Sequence, residues 1–80
     1  MRLPRDVSGE ELARRLSKLG YRVTRQTGSH MRLTHLGEQE HHITIPRHRD
    51  LRVGTLHNIL RDVAENLHID QEELLRQLWE

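Results

Sequence analysis

The chain has 80 residues, no cysteine and a formal net charge of +1. These values predict one small domain over residues 1–80 and exclude a disulfide framework or a thiolate metal site. No segment approaches the roughly 18 consecutive apolar residues of a membrane span, and the first residues lack the apolar core of a signal peptide. We therefore expect a cytoplasmic protein with no membrane partner.

The first predicted element is a helix over about residues 9–19. Ser8 followed by Glu11 forms a capping box, which is typical of a helix start. Gly20 is the kind of residue that commonly ends a helix in a left-handed conformation. The apolar positions between these signals recur at helical spacing: Leu12, Ala13, Leu16 and Leu19.

Three strands are predicted next, because the apolar pattern changes to a period of two at Tyr21. Residues 27–29 are turn formers, and alternation resumes at His30. A third strand covers residues 41–45 and ends at Pro46, which has no N–H to donate to a sheet. The short connections favour an antiparallel meander.

One face of this sheet should pack against helices and the other should stay open. On the side of Tyr21 the alternation places Val23, Arg25, Met31, Leu33, Ile43 and Ile45. On the open face it places Arg22, Thr24, Gln26, His30, Arg32, Thr34, His42 and Thr44.

Two helices are predicted at the C-terminal end, with Thr55 as the N-cap of the first and Asp70 as the N-cap of the second. The apolar positions of the first recur at helical spacing: Leu56, Ile59, Leu60, Val63, Ala64 and Leu67. We place the compact core at about residues 6–67 and an acidic helical extension at about residues 69–80. The sequence leaves open whether this extension covers the core, joins copies in a homo-oligomer or meets a partner protein.

The charge is concentrated in the middle of the chain. Residues 21–61 carry seven arginines and six of the seven histidines, and residues 62–80 are strongly acidic. Guanidinium groups match phosphate geometry, and histidines can take and give a proton near neutral pH. The open face thus has the groups that metal-free RNA cleavage needs. Passive RNA binding and docking of a partner protein remain alternatives, and the histidine spacing does not predict a metal site.

Four segments, in this order, carry a resemblance to a known family: LGY at the end of the first helix, GSH at the start of a strand, HHITIP, and LRVGTLHNILRD. Together they closely resemble the HicA toxins of bacterial and archaeal toxin-antitoxin pairs. The likeness runs from about Asp6 to Asp62.

The resemblance implies an endoribonuclease that cleaves mRNA, needs no metal or other cofactor, and is suppressed by a HicB-like antitoxin. It implies an α+β fold like the double-stranded-RNA-binding domain, a two-layer sandwich in the order α-β-β-β-α, here with a short extra C-terminal helix. The histidine of the GSH motif is catalytic in that family, and His30 matches it. Gly28 and Ser29 match the turn that presents it.

Further RNA-binding candidates come from the charge pattern. Arg32 lies two residues beyond His30 on the same strand and is the predicted phosphate ligand, and Arg22 shares the open face. His42 is a candidate second acid or base if the third strand pairs beside the second. Arg47 and Arg49 lie in the loop before the long helix and are candidates for binding RNA phosphates.

Overall fold

The computed structural model describes residues 2–80. Helix α1, Gly9–Leu16, continues into a 3-10 turn over Ser17–Leu19. The strands are β1, Tyr21–Thr27, β2, His30–Leu36, and β3, Glu40–Pro46, and the C-terminal helices are α2, Val53–Leu67, and α3, Gln71–Trp79. The strands form one antiparallel sheet in the order β1-β2-β3. The predicted α+β arrangement is confirmed.

Side-chain caps explain where two of the helices begin. The Ser8 hydroxyl accepts a hydrogen bond from the Glu11 N–H at 3.0 Å, and the Asp70 carboxylate accepts one from Glu73 at 2.8 Å. Each bond satisfies an N–H that the first helical turn leaves free. Both predicted caps are confirmed.

The predicted cap of α2 is wrong. Thr55 lies inside the first turn, and Arg52 is the N-cap residue without a side-chain hydrogen bond. The chain is instead fixed just before the helix, because Leu51 is buried and its N–H donates to the Val7 carbonyl at 2.8 Å. With this tertiary contact the helix has its N-cap three residues before the predicted one.

The core lies between the helices and one face of the sheet. The sheet contributes Tyr21, Met31, Leu33, Ile43 and Ile45, all buried as predicted. Val23, which the alternation places on the same side, is 48% exposed and does not join the core. The helices contribute Leu12, Leu16, Leu56, Leu60, Val63, Leu74 and Leu78, each at most 1% exposed. Since Leu74 and Leu78 belong to α3, the acidic C-terminal segment covers the same core. Within residues 2–80 no helix combines the length and apolarity needed to cross a bilayer.

A β-bulge at Thr24 changes which β1 side chains face outward. Val23 pairs with Leu33, but the next pair joins Arg25 to Arg32, so Thr24 is an extra residue on β1. Arg25 therefore shares the open face with Arg32. Gln26 pairs with the buried Met31 and lies on the helix side. The predicted faces of Arg25 and Gln26 are thus wrong, because the bulge reverses the alternation.

A network of polar side chains holds the first residue of β1 against α2. The Tyr21 hydroxyl lies 2.7 Å from His41 Nδ1, and the Asn66 amide donates to the same hydroxyl at 3.0 Å. His41 Nε2 lies 3.1 Å from an Asp62 carboxylate oxygen. One consistent assignment has Tyr21 donating to Nδ1 and Nε2–H donating to Asp62. The network ties two strands to α2.

Because of this network, we expect the free energy of unfolding to fall at alkaline pH. Burial raises the pKa of the Tyr21 phenol; the Asn66 hydrogen bond opposes this and the Asp62 charge adds to it. The folded chain holds the phenolic proton more tightly, so this contribution to stability is complete below the unfolded pKa of about 10 and is lost as pH rises through the folded pKa. We expect tyrosinate absorbance of the single tyrosine to appear at higher pH in the folded than in the urea-unfolded chain.

The control is Tyr21→Phe, which should remove the alkaline fall in the free energy of unfolding that this phenol causes. Coincident tyrosinate titrations in the folded and unfolded chains would contradict the prediction.

Candidate functional site

His30 is the first residue of β2 and directly follows the turn at Gly28 and Ser29. Gly28 has φ of 54°, a left-handed conformation that glycine adopts without a side-chain clash. The Ser29 carbonyl accepts a hydrogen bond from the Arg47 N–H at 2.6 Å, which joins the turn to the end of β3. The His30 side chain is exposed, and no other side chain of residues 2–80 forms a hydrogen bond with its ring. Its nitrogens are therefore free to meet a ligand.

The register arranges the open face in rows across the three strands. His30 pairs with Thr27 and Pro46, Arg32 with Arg25 and Thr44, and Thr34 with Arg22 and His42. The structure thus places the predicted Arg22, Arg32 and His42 on the same face as His30.

His42 is nevertheless separated from His30. It lies on the neighbouring strand in the row of Thr34, four residues along β2. At about 3.4 Å per residue this offset is about 14 Å. The two imidazoles are too far apart to act on opposite sides of one phosphodiester, so the geometry favours another role for His42.

His42 belongs instead to a chain of hydrogen-bonded side chains that could not be seen in the sequence. His42 Nε2 lies 3.1 Å from a Glu40 carboxylate oxygen, and His42 Nδ1 lies 2.9 Å from the Thr34 hydroxyl. The Thr34 hydroxyl lies 2.7 Å from that of Thr24, the bulge residue. With Nε2–H donating to Glu40 and the Thr34 hydroxyl donating to Nδ1, the neutral ring is fully satisfied. Glu40 and Thr34 thereby fix the orientation of His42.

An open cavity of about 670 Å³ lies over this part of the face. Its lining includes Arg22, Thr24, Arg25, Arg32, Thr34 and His42. Three of these are arginines, while Glu40 is the acidic residue of the lining. His30 is not part of the lining and lies one row beyond Arg32. Arg25 is a functional candidate that sequence reasoning missed, because only the bulge brings it to this face.

The two loop arginines differ in their surroundings. Arg47 Nη2 lies 3.1 Å from a Glu10 carboxylate oxygen, so its charge is partly compensated. It directly follows Pro46, the residue paired with His30. Arg49 is exposed two residues further along the loop and forms no ion pair within residues 2–80. The structure therefore brings Arg47 close to the His30 end of the sheet, whereas no hydrogen bond or ion pair within the described residues ties Arg49 to that end.

Residues 2–80 contain no group of three or more histidine, aspartate or glutamate side chains placed to hold a metal ion.

Comparison with protein families gives a match over most of the chain. The model of a family described as "HicA toxin of bacterial toxin-antitoxin" matches residues 9–64. This segment includes α1, the whole sheet and most of α2, and it ends before α3. Neither the curated proteins nor the solved structures gave a match.

Proposed function

The chain belongs to the HicA toxin family of bacterial toxin-antitoxin systems, and on this premise we propose that it is a metal-independent endoribonuclease that cleaves mRNA in the cytoplasm. His30 is the catalytic residue of this proposal. The observation that carries it is the exposed, unpartnered His30 ring at the start of β2, one row from the Arg32 guanidinium on the same open face. A base and a phosphate ligand thus stand side by side on a rigid sheet.

The proposed chemistry needs only the chain, its substrate and water. His30 takes the proton of a ribose 2′-hydroxyl, and the 2′-oxygen attacks the adjacent phosphorus. The bond to the 5′-oxygen breaks, that oxygen takes a proton from solvent, and the products are a 2′,3′-cyclic phosphate and a free 5′-hydroxyl. Protonated His30 then returns its proton to solvent, which restores the base. Arg32 binds the non-bridging oxygens and stabilises the charge that grows on them in the transition state.

An antitoxin partner belongs to this type of system. We propose that a HicB-like antitoxin suppresses the toxin by covering the open sheet face, which would make His30 inaccessible to RNA. By this proposal the chain is toxic when it is expressed alone. Co-expression of the antitoxin restores growth.

Gel analysis of RNA incubated with the purified protein tests the activity. We expect cleavage that persists in EDTA, because the proposed mechanism uses no metal ion. A DNA strand of the same sequence should stay intact, because it lacks the 2′-hydroxyl nucleophile. Cyclic phosphate at the new 3′ ends, detected by mass spectrometry, would identify the proposed route.

A different outcome would favour a binding module without catalysis. In that case the RNA stays intact and migrates as a shifted band whose amount falls steeply with salt. The arginine-lined cavity, which does not include His30, is the observation that supports this second candidate.

A further inference from the structure

We propose that Arg22 and Arg25 form a second phosphate subsite, which binds the RNA backbone beside the linkage that is cleaved at His30. We call this pair of residues, with the cavity in front of them, the cavity subsite. The choice of RNA as ligand rests on the proposed function. The subsite itself is inferred from the charges and contacts of the open face.

The first observation is a like-charge pair. Arg25 lies directly opposite Arg32 on the neighbouring strand. Like charges in this position destabilise a sheet. Neither residue forms an ion pair within residues 2–80, and neither does Arg22, whereas Arg15, Arg47 and Arg76 each pair with a glutamate. An anion bound between these guanidinium groups would remove the repulsion.

The second observation is that local structure brings Arg25 to this face. Without the bulge at Thr24, strict alternation would place Arg25 on the helix side. The bulge is held in place, because the Thr24 hydroxyl contacts the Thr34 hydroxyl at 2.7 Å and the Arg32 carbonyl at 3.4 Å. Bulges commonly re-aim side chains next to functional sites. The subsite is therefore built into the sheet.

The ligand class follows from the size and lining of the cavity. A volume of about 670 Å³ is within the range of sites that hold ligands larger than a lone phosphate ion. Guanidinium groups bind phosphate oxygens with two parallel hydrogen bonds. The cavity lining contains no Tyr or Trp on which a base would stack, and its two imidazoles are engaged within the fold: His35 packs against the Tyr21 ring, and His42 contacts Glu40 and Thr34. The subsite therefore contacts the backbone and tolerates different base sequences.

The cavity subsite lies further along β2 from His30. The Arg25 row lies two residues along β2 from His30, and the Arg22 row lies four residues along. At about 3.4 Å per residue these offsets are about 7 and 14 Å. An RNA strand that runs along β2 would meet His30 first and the cavity subsite at a flanking nucleotide. Arg32 lies in the Arg25 row, at the edge of the cavity that is nearer to His30.

The test measures binding without cleavage. The probe is a fluorescein-labelled 2′-O-methyl RNA of about twelve nucleotides, within the site size of common single-strand binders. Because this probe lacks the 2′-hydroxyl nucleophile, it stays intact even though His30 is present in every protein tested. Fluorescence anisotropy over a range of salt concentrations gives Kd and its salt dependence for the parent chain, for Arg25→Gln and for the control Arg61→Gln.

Arg61→Gln is the matched control because it removes the same charge from an exposed position on α2, in the helix layer. We expect Arg25→Gln to weaken binding about tenfold, the loss of one charge-assisted contact. The slope of log Kd against log salt concentration should fall by about one. The control should change both quantities much less.

A second readout separates binding from a structural role. The free Arg25→Gln chain should have a higher midpoint of thermal unfolding than the parent, because the repulsion from Arg32 is gone. Addition of RNA should then stabilise the variant less than the parent.

Equal Kd values and salt slopes in Arg25→Gln and Arg61→Gln would overturn the cavity subsite. Failure of the cleavage assay would instead overturn only the catalytic proposal, since the binding probe cannot be cleaved. Loss of RNA binding in Arg25→Gln would support the subsite in either case.

Discussion

His30→Ala is expected to lower the rate of RNA cleavage by about 10²- to 10⁴-fold, the usual contribution of a positioned general base. The side chain is exposed and has no hydrogen-bonded partner among residues 2–80, so its removal should change the free energy of unfolding by no more than about 0.5 kcal/mol. Single-turnover cleavage of a labelled RNA, with urea unfolding of the same preparation, measures both quantities.

The control for this prediction is His68→Asn. His68 is an exposed histidine at the C-terminal end of α2 and has φ of 60°, which asparagine tolerates. The variant removes an imidazole from the helix layer and should cleave RNA at the parental rate. If folded His30→Ala also cleaved at the parental rate, the catalytic assignment would be wrong.

The parts of the fold that could be predicted from sequence depend on local signals. The caps at Ser8 and Asp70 involve residues three positions apart, and their hydrogen bonds form within one helical turn. The strands alternate apolar and polar residues, and Gly20 ends the first helical segment with φ of 95°. Because neighbouring residues determine these features, a sequence reading can locate them.

The bulge at Thr24 could not be predicted in the same way. After Val23 the strand continues with Thr, Arg, Gln and Thr, all of them polar. No apolar residue marks which side of this segment faces the core, so the sequence is compatible with either phase of the alternation. The phase is set by pairing with β2, where Gln26 lies opposite Met31. The face of Arg25 therefore depends on a contact between strands.

The same reasoning applies to the site. His30 is a candidate that its motif and the alternation along one strand are enough to propose. The relation between His30 and His42 depends on the pairing of β2 with β3, which places His42 opposite Thr34. Strand membership could be predicted, but the register that separates the two histidines required the structure. The pairing of Glu40 with His42 also depends on where β3 begins.

Gly9→Ala is expected to produce the largest loss of stability, about 3 kcal/mol, the upper part of the range for overpacking a tight contact. A Cβ added at Gly9 would overlap the Pro46 carbonyl oxygen and would lie 3.3 Å from the Arg47 Cα. The Gly9 N–H also donates to the His48 carbonyl at 2.9 Å, so α1 is held against this segment. Backbone atoms cannot move aside as a side chain does. Urea unfolding followed by circular dichroism measures the change.

Gly54→Ala is the matched control, and we expect it to raise the stability that Gly9→Ala lowers. A Cβ at Gly54 meets no atom within 4 Å, and the residue lies in the first turn of α2. Alanine there should raise the free energy of unfolding by about 0.5–1 kcal/mol, the usual difference between the two residues in a helix. Equal stabilities of the two variants would show that the contact between Gly9 and Pro46 does not limit the packing.

Gly9→Ala also connects packing to the proposed chemistry. Pro46 pairs with His30 across the sheet, and the Arg47 N–H holds the Ser29 carbonyl of the turn before it. A methyl group that displaces Pro46 therefore shifts the strand that supports His30. At low temperature, where most of the variant is folded, its cleavage rate should still be below that of Gly54→Ala. Positioning of His30 would then depend on a glycine that contacts neither the RNA nor the histidine.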